Sequence, residues 1–247
     1  MISKTTISAN TQHMTTHDKA THKLGFWSAV LTVIFFIWFS IGFGLYQTTL
    51  HAPWPGMQEY AETFNPAPFL AWVVPCFLLT ICFLITIVCI YTLASHEKKA
   101  SGMLAVIFAI AYTVILSTCY YIQMVVVEYN LTHQTTEGLS LLLFASPYPH
   151  SIPGAMEGVG YLFMSLSLIF TSKLFSGDKL SKRIRWSFLF AGLTGIIVFT
   201  DPLFPLPLII TLIVAIANAF LLIGSMILVC IWFKKHDRSA VVNSTEM

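Results

Sequence analysis

The chain has 247 residues, of which 56% are hydrophobic and only 10% are charged, and its formal net charge is +2. An average soluble domain is about 25% charged, so this composition excludes an ordinary soluble fold. The small net charge gives no indication of a nucleic-acid partner.

Long uncharged apolar blocks make up most of the chain. About 17 to 25 apolar residues are needed for an α-helix to cross a hydrocarbon core of roughly 30 Å. Within lipid such blocks must be helical, because every backbone N–H and C=O group needs an internal partner. We therefore predict an all-α, polytopic membrane helix bundle. Its six transmembrane helices are predicted at residues 26–46, 69–93, 103–127, 152–174, 184–200 and 206–233.

The basic residues predict the orientation of this bundle. All Lys and Arg residues fall within residues 4–23, 98–99, 173–185 and 234–238, and the remaining connections have none. Under the positive-inside rule, these clusters share one side only if six helices cross and both termini are cytoplasmic. We predict a disordered cytoplasmic tail at 1–24, a transmembrane domain at 25–233 and a second cytoplasmic tail at 234–247.

Residues that could hold a metal ion or cofactor are present, but their pattern does not favour such a site. His13, His17 and His22 have a helical spacing in the N-terminal tail, where we interpret them as part of a flexible segment. The five cysteines all lie in apolar blocks without a C-x-x-C pair, which is typical of packing residues. We predict no metal ion and no cofactor.

Two external connections have features of their own. Residues 128–150 include an apolar run at 139–144, which predicts an ordered piece at the membrane interface, either a lid or a surface turn without function. In the next external connection, Asp201 followed by Pro202 is typical of a helix N-cap and first turn. We interpret Asp201 as structural.

Glu157 is the one ionisable side chain clearly inside a predicted helix. A charged side chain within a membrane helix costs at least about 2.5 kcal/mol on insertion scales, so it normally faces a partner or a cavity. Gly154, Gly158 and Tyr161 lie three or four residues away on the same helix, and the glycines permit close contact with a neighbouring helix. Glu157 is therefore the leading candidate for a functional residue.

Partners for Glu157 follow from depth in the membrane. The third helix runs outward and ends in polar residues, the fourth runs inward from residue 152, and the first helix ends on the same outer side. We predict an outward-facing polar pocket formed by Glu157, Tyr120, Tyr121, Gln123, Tyr161, Gln47 and Asn218. The alternative to such a pocket is that the Glu157 carboxyl group only forms hydrogen bonds with its neighbours and thereby fixes helix packing.

The middle third of the chain carries a short combination of motifs. Tyr-Ile-Gln at 121–123 is followed by a polar loop, by Glu-Gly-Val-Gly-Tyr-Leu at 157–162 and by basic residues after the fourth helix. This combination resembles a family of uncharacterised prokaryotic six-helix integral membrane proteins. The resemblance implies a multi-pass protein of the prokaryotic inner membrane and implies no activity.

Three functional hypotheses are compatible with these observations. The favoured one is a protein that binds or transports a small molecule in the Glu157 pocket, with protonation as a coupling event. The second is a membrane enzyme that acts on a lipid-like substrate, with Glu157 as general acid or base and Glu128, His150 or Asp201 as a second group. The third is a non-catalytic assembly or sensory subunit. The expected partners are the lipid bilayer and a small-molecule or lipid ligand.

Overall fold

The computed structural model describes residues 16–50, 54–143, 151–200 and 206–245. These residues form α-helices and contain no strand. A 3-10 turn at His96–Lys98 precedes α4, and a π-helical turn at Gln123–Val127 joins α4 to α5 in one continuous rod. The α-helices are α1 (Thr16–Gln47), α2 (Met57–Glu62), α3 (Pro66–Thr92), α4 (Lys99–Ile122), α5 (Glu128–Thr132), α6 (Leu139–Leu142), α7 (Ile152–Ser172), α8 (Lys179–Thr200) and α9 (Leu208–Thr245).

The long helices α1, α3, α4, α7, α8 and α9 form a closed ring. Each packs against the next long helix in the chain, and α9 returns to pack against α1. Short connections between successive helices favour this antiparallel arrangement of neighbours. Every long helix consequently has one face towards the centre of the ring and one face towards its surroundings.

Five helical segments of the described residues are long and apolar enough to cross a membrane: α1, α3, the rod containing α4 and α5, α7, and α9. The remaining long helix, α8, differs because its first two turns carry Lys179, Lys182, Arg183 and Arg185. Those charges leave it a shorter apolar stretch. Length and composition therefore indicate an all-helical, multi-pass membrane protein with five candidate spans.

Side chains just before α3, α7 and α8 accept hydrogen bonds from backbone N–H groups of the first turn, which have no partner within the helix. The Asn65 side chain accepts a hydrogen bond from the Ala67 amide at 3.0 Å, and Pro66 starts α3. Before α8, Asp178 Oδ1 accepts from the Ser181 amide at 2.9 Å. Ser151 caps α7 in the same way. Such caps fix where a helix begins.

Hydroxyl groups and glycines hold neighbouring helices close together. A methyl group at Gly192 of α8 would lie only 2.7 Å from the Ser165 carbonyl oxygen of α7, so this crossing requires glycine. The hydroxyl bridges are Thr86 Oγ1 to Ser28 Oγ at 3.0 Å, Thr113 Oγ1 to the Thr80 carbonyl at 3.1 Å and Ser167 Oγ to the Ala105 carbonyl at 2.8 Å.

One end of the ring, here named the basic end, joins the α3–α4 turn, the α7–α8 turn and the end of α9. Lys98 Nζ donates to the Leu174 carbonyl at 2.9 Å, and Lys235 Nζ donates to Asp178 Oδ2 at 2.7 Å. The hydrogen bond from Lys235 holds the pKa of Asp178 well below its usual range. Three of the four basic clusters therefore meet in direct contacts.

The beginning of α1 also lies at the basic end. The His22 ring stacks on the His236 ring of α9, with centroids 6.1 Å apart, and lies 6.0 Å from the ring of Trp232. These contacts extend both helices into the segments predicted as tails, since α1 begins at Thr16 and α9 continues to Thr245. Packing between the two helices offsets the weak helix preference of the polar sequences.

Short helices cover the opposite end of the ring. The Tyr46 and Tyr60 hydroxyls of α1 and α2 are 3.0 Å apart, and burial raises the pKa of Tyr60 above its usual value. The apolar run at 139–144 contains the one-turn helix α6, with Leu139 buried, as expected for an ordered segment. Phe144, His150, Asp201 and Pro202 lie outside the described residues, so the N-cap assigned to Asp201 stays a prediction.

Candidate functional site

Glu157 lies in the second turn of α7 and faces α4. The Tyr120 hydroxyl, in the last turn of α4, donates a hydrogen bond of 2.7 Å to Glu157 Oε1. Glu157 is half-buried and Tyr120 is buried. The antiparallel course of α4 and α7 brings the end of one helix level with the beginning of the other, which places these two side chains together.

The surroundings of the Glu157 carboxyl group contain hydroxyls and thiols. Tyr161, one turn further along α7, is a second hydrogen-bonding neighbour of the carboxyl. Among the described residues, the titratable groups that interact electrostatically with Glu157 are Cys76, Tyr112, Cys119, Tyr120 and Tyr161. None of these groups is a cation. The carboxyl group therefore has hydrogen-bond donors but no positively charged protein partner among them.

A cavity of about 60 Å³ lies inside the ring, and two of its lining residues, Tyr120 and Tyr161, are the hydrogen-bonding neighbours of Glu157, which does not itself line it. It is lined by residues of α1, α3, α4, α7 and α9, including Thr32, Cys76, Tyr112, Tyr161 and Met226. A single water needs about 10–15 Å³, so the space is several times larger than one water. Leu79, another lining residue, is the middle residue of α3, which places the cavity near the middle of the bundle.

Tyrosines connect the cavity to Glu157. Tyr120 and Tyr161 both border the cavity and both interact with the Glu157 carboxyl group. Tyr112 also borders the cavity and is 2% exposed. Two of the three tyrosines in the cavity lining are therefore linked to the carboxyl group of Glu157.

The structure brings together three of the seven predicted pocket residues, namely Glu157, Tyr120 and Tyr161. Tyr121 is 56% exposed and lies on the outer face of the ring. Gln47 ends α1 and is exposed as well. Consecutive residues of a helix are 100° apart, so the neighbour of an inward-facing tyrosine points elsewhere.

Gln123 and Asn218 are buried, but their amides bond to other elements. The Gln123 side chain donates to the Leu142 carbonyl at 2.8 Å and links the π-helical turn to the end of α6. The Asn218 amide donates to the Ala191 carbonyl and to Thr194 Oγ1, both at 2.8 Å, and links α9 to α8. Neither hydrogen-bond set includes Glu157.

Of the three candidate second groups for acid–base chemistry, Glu128 is the one within the described residues, and its side-chain hydrogen bond does not involve Glu157. Glu128 accepts a hydrogen bond from the Thr132 hydroxyl at 3.2 Å, within α5. His150 and Asp201 lie outside the described residues. The described part of the chain contains no group of three or more His, Cys, Asp or Glu side chains that could hold a metal ion.

Cys76 and Tyr112 were missed as pocket residues in the sequence analysis. Tyr112 is two turns before Tyr120 in α4, and residues seven or eight apart fall on the same broad face of a helix. That spacing is a signal that could have identified Tyr112. Cys76 has no comparable signal, because it follows Pro75 within a uniformly apolar helix.

The ring of apolar helices and the enclosed carboxyl site are features of multi-pass integral membrane proteins that keep a polar site away from lipid. Comparison of the chain with protein families, with curated proteins and with solved structures finds no match in any of the three. Function must therefore be inferred from the site itself.

Proposed function

We propose that this membrane protein binds a small molecule in the central cavity beside Glu157, and that it does so in order to transport it. The observation that carries the proposal is the shared position of Tyr120 and Tyr161, which line the cavity and also interact with the Glu157 carboxyl group. An ionisable side chain in a membrane helix generally marks a substrate or ion pathway.

The position of the cavity supports transport over a purely structural role. Secondary transporters bind their substrates near the middle of the bilayer, between packed helices. Here the cavity is near mid-height and five of the six ring helices contribute to its lining. Movement of a few of these helices relative to the others would expose the cavity to one side or the other.

We further propose that α8 is the sixth membrane span and that both termini are cytoplasmic in a prokaryotic inner membrane. The position of α8 in the ring, between α7 and α9, supports the span. Contacts among three basic clusters at one end support the orientation. The resemblance at 121–123 and 157–162 supports the prokaryotic membrane. Reporter fusions after Lys99 and Asp178 should report cytoplasm, and fusions after Glu62 and Glu137 the external side; one reversed reporter would exclude this topology.

Cys76 provides a direct test of the binding cavity. A variant in which the other four cysteines are replaced by alanine should react at Cys76 with methyl methanethiosulfonate, a small uncharged thiol reagent, in the folded protein in lipid nanodiscs. The reagent can reach this thiol because Cys76 lines the cavity. Mass spectrometry of the intact protein measures the rate.

The matched control is a variant that keeps only Cys89. Both thiols are buried, with exposures of 5% for Cys76 and 3% for Cys89, but Cys89 is not among the cavity residues. Cys76 should react at least about tenfold faster, and the larger Leu79→Trp side chain should slow it to the Cys89 rate. Equal rates for the two thiols would show that small molecules do not enter, and the proposed function would be refuted.

A further inference from the structure

We propose that the ligand of the central cavity is an amphiphile dissolved in the bilayer, whose alkyl chain enters between α1 and α9. The line of contact between these two helices is here named the seam, and the chain enters through the part of the seam away from the basic end. This inference rests on the proposed function and deepens it, because it assigns the chemical class of the ligand and its route. The lining of the cavity, the burial along the seam and the volume of the cavity support it.

The lining of the cavity is largely hydrocarbon. Most of the described residues that line it are Val, Leu, Ile, Met or Phe, and none of them is Asp, Glu, Lys, Arg or His. Two of the lining hydroxyls already have protein acceptors, since Thr32 donates to the Ser28 carbonyl at 2.8 Å and Tyr120 donates to Glu157. Apolar cavities stay dry and bind apolar molecules such as benzene or xenon. The part of the ligand that enters is therefore hydrocarbon.

The seam is tightly packed near the basic end. Gly25 of α1 lies against the Phe233 ring of α9, so a methyl group at Gly25 would overlap that ring. The His22 ring lies 6.0 Å from the rings of both Trp232 and Phe233, and Val229 is fully buried. These contacts close the seam at that end.

The same side of α1 is exposed further from the basic end. Ser40 lies about five complete helical turns after His22, so both residues are on one side of the helix. His22 is buried, whereas Ser40 is exposed. Gly44 follows Phe26 by the same interval, and no atom of another described segment lies within 4 Å of a methyl group placed at Gly44. The seam side of α1 therefore loses its cover along this part of the helix.

The facing side of α9 shows the same change. Phe233 and Val229 are fully buried, whereas Leu222 and Ala219, which lie on the same side further from the basic end, are only half-buried. Leu222 also lines the cavity. The seam therefore opens at the level of the cavity, and in a multi-pass membrane protein the ring is surrounded by lipid at that level.

The volume of the cavity determines how much of the ligand it holds. It is about 60 Å³, less than half of the roughly 150 Å³ of a cavity that holds benzene. Such a space accommodates the last few carbon atoms of a chain, and the rest of the chain would lie in the seam. Met164 and Met226 are among the lining residues, and the flexible methionine side chain adapts to irregular apolar shapes.

The test uses 1-decanol that carries a photoreactive diazirine near the end of its chain, added to the wild-type protein in nanodiscs. Peptide mass spectrometry after irradiation measures the labelling of Met164, a lining residue of α7 that is buried inside the ring. Unlabelled 1-decanol should compete with this labelling. 1-Adamantanol is a rigid cage with the same number of carbon atoms and is too wide for the cavity, so it should compete at least about fivefold less well.

Two tryptophan variants test the route. Ser40→Trp places a bulky side chain on the seam side of α1, so it should lower the labelling of Met164 at least about fivefold. Ile41→Trp is the matched control, because Ile41 is also exposed but points about 100° away from Ser40 around the helix. This control should change the labelling less than about twofold.

Several outcomes would overturn the inference while the cavity stands. They are labelling of Met164 that unlabelled 1-decanol does not reduce, equal competition by 1-adamantanol, and an equal loss in Ser40→Trp and Ile41→Trp. In each case Cys76 would still react faster than Cys89 with methyl methanethiosulfonate, and the cavity would bind a ligand of another class. Nanodiscs that hold two copies of the wild-type chain but one copy of Ser40→Trp would show that a second copy covers the seam, which would also overturn the inference.

Failure of both proposals has a separate signature. If Cys76 reacts no faster than Cys89 and Met164 is not labelled by the photoreactive 1-decanol, neither small molecules nor alkyl chains enter the cavity. The proposed function and the inference that rests on it would then both be refuted.

Discussion

Glu157 and Asn218 are two polar side chains inside the ring, and the structure uses them differently. The Asn218 amide donates both hydrogen bonds to α8, which leaves it no free donor for a ligand. Glu157 is bonded to Tyr120, and that tyrosine borders a cavity. A buried polar residue in a membrane helix is thus a binding candidate when its partners face open space, and a packing device when its partners are backbone and hydroxyl groups of the next helix.

The comparison predicts that substitutions in the two regions have different effects on ligand binding and on stability. Substitutions in the cavity lining should change the entry of small molecules more than they change stability. Groups between α8 and α9 should show the reverse.

The largest effect is expected from Leu79→Trp on the labelling of Cys76. Both residues line the cavity, so the larger side chain should fill the space and slow the reaction with methyl methanethiosulfonate about tenfold, whereas Asn218→Leu should change the rate less than about twofold. An equal decrease of the rate in both variants would show that the two regions are not distinct.

A smaller effect is expected from Asn218→Leu on stability. Interhelical hydrogen bonds in membrane proteins average about 0.6 kcal/mol and reach about 1.7 kcal/mol, so the variant should lose a free energy of unfolding within that range. Tyr112→Phe, which removes a hydroxyl from the cavity lining, should lose less. Unfolding in mixed micelles with increasing sodium dodecyl sulfate measures both values. A Tyr112→Phe variant less stable than Asn218→Leu would contradict the comparison.

The smallest effect is expected from Asp178, a carboxylate that does have a cationic partner. Its side chain is 40% exposed and that of Lys235 is 58% exposed, and an exposed ion pair contributes only about 0.2–1 kcal/mol. Because the hydrogen bond from Lys235 lowers the pKa of Asp178 in the folded protein, this contribution is complete above the ordinary pKa of about 4 and declines as the pH falls below it.

The Asp178→Asn variant should accordingly be slightly less stable than the wild type at pH 7, and the difference should shrink below about pH 4. The same denaturation assay, repeated at pH 7 and pH 3.5, measures it. A difference that stays constant with pH would show that the cap on the Ser181 amide, and not the charge on Asp178, accounts for the effect.

The sequence predicted the level of each polar residue along its helix but not the direction in which it points. Glu157 and Tyr120 were placed at one depth from the opposed directions of their helices, and the structure joins them. Tyr121 was assigned to the same depth, but it lies on the outer face, because its direction depends on how α4 is rotated against α3 and α7. The direction of the Asn218 side chain could not be predicted for the same reason, because its partners on α8 are set by the way the two helices cross.

The long helices were predictable because the apolar lengths and the basic residues constrain them strongly. Each predicted block overlaps one long helix, although α1 and α9 extend further through their mutual contacts. The cavity could not be predicted, because it is the space left when side chains from five helices fail to fill the centre. That property depends on packing and is not encoded by any one segment.

The contact between α1 and α9 makes the order of helices around the ring continuous. A circularly permuted chain that begins with α4, joins α9 to α1 by a flexible linker and ends with α3 would keep every helix between the same two neighbours. Both new termini would then lie at the basic end, where the α3–α4 turn is now. We therefore expect such a permuted chain to form the same ring.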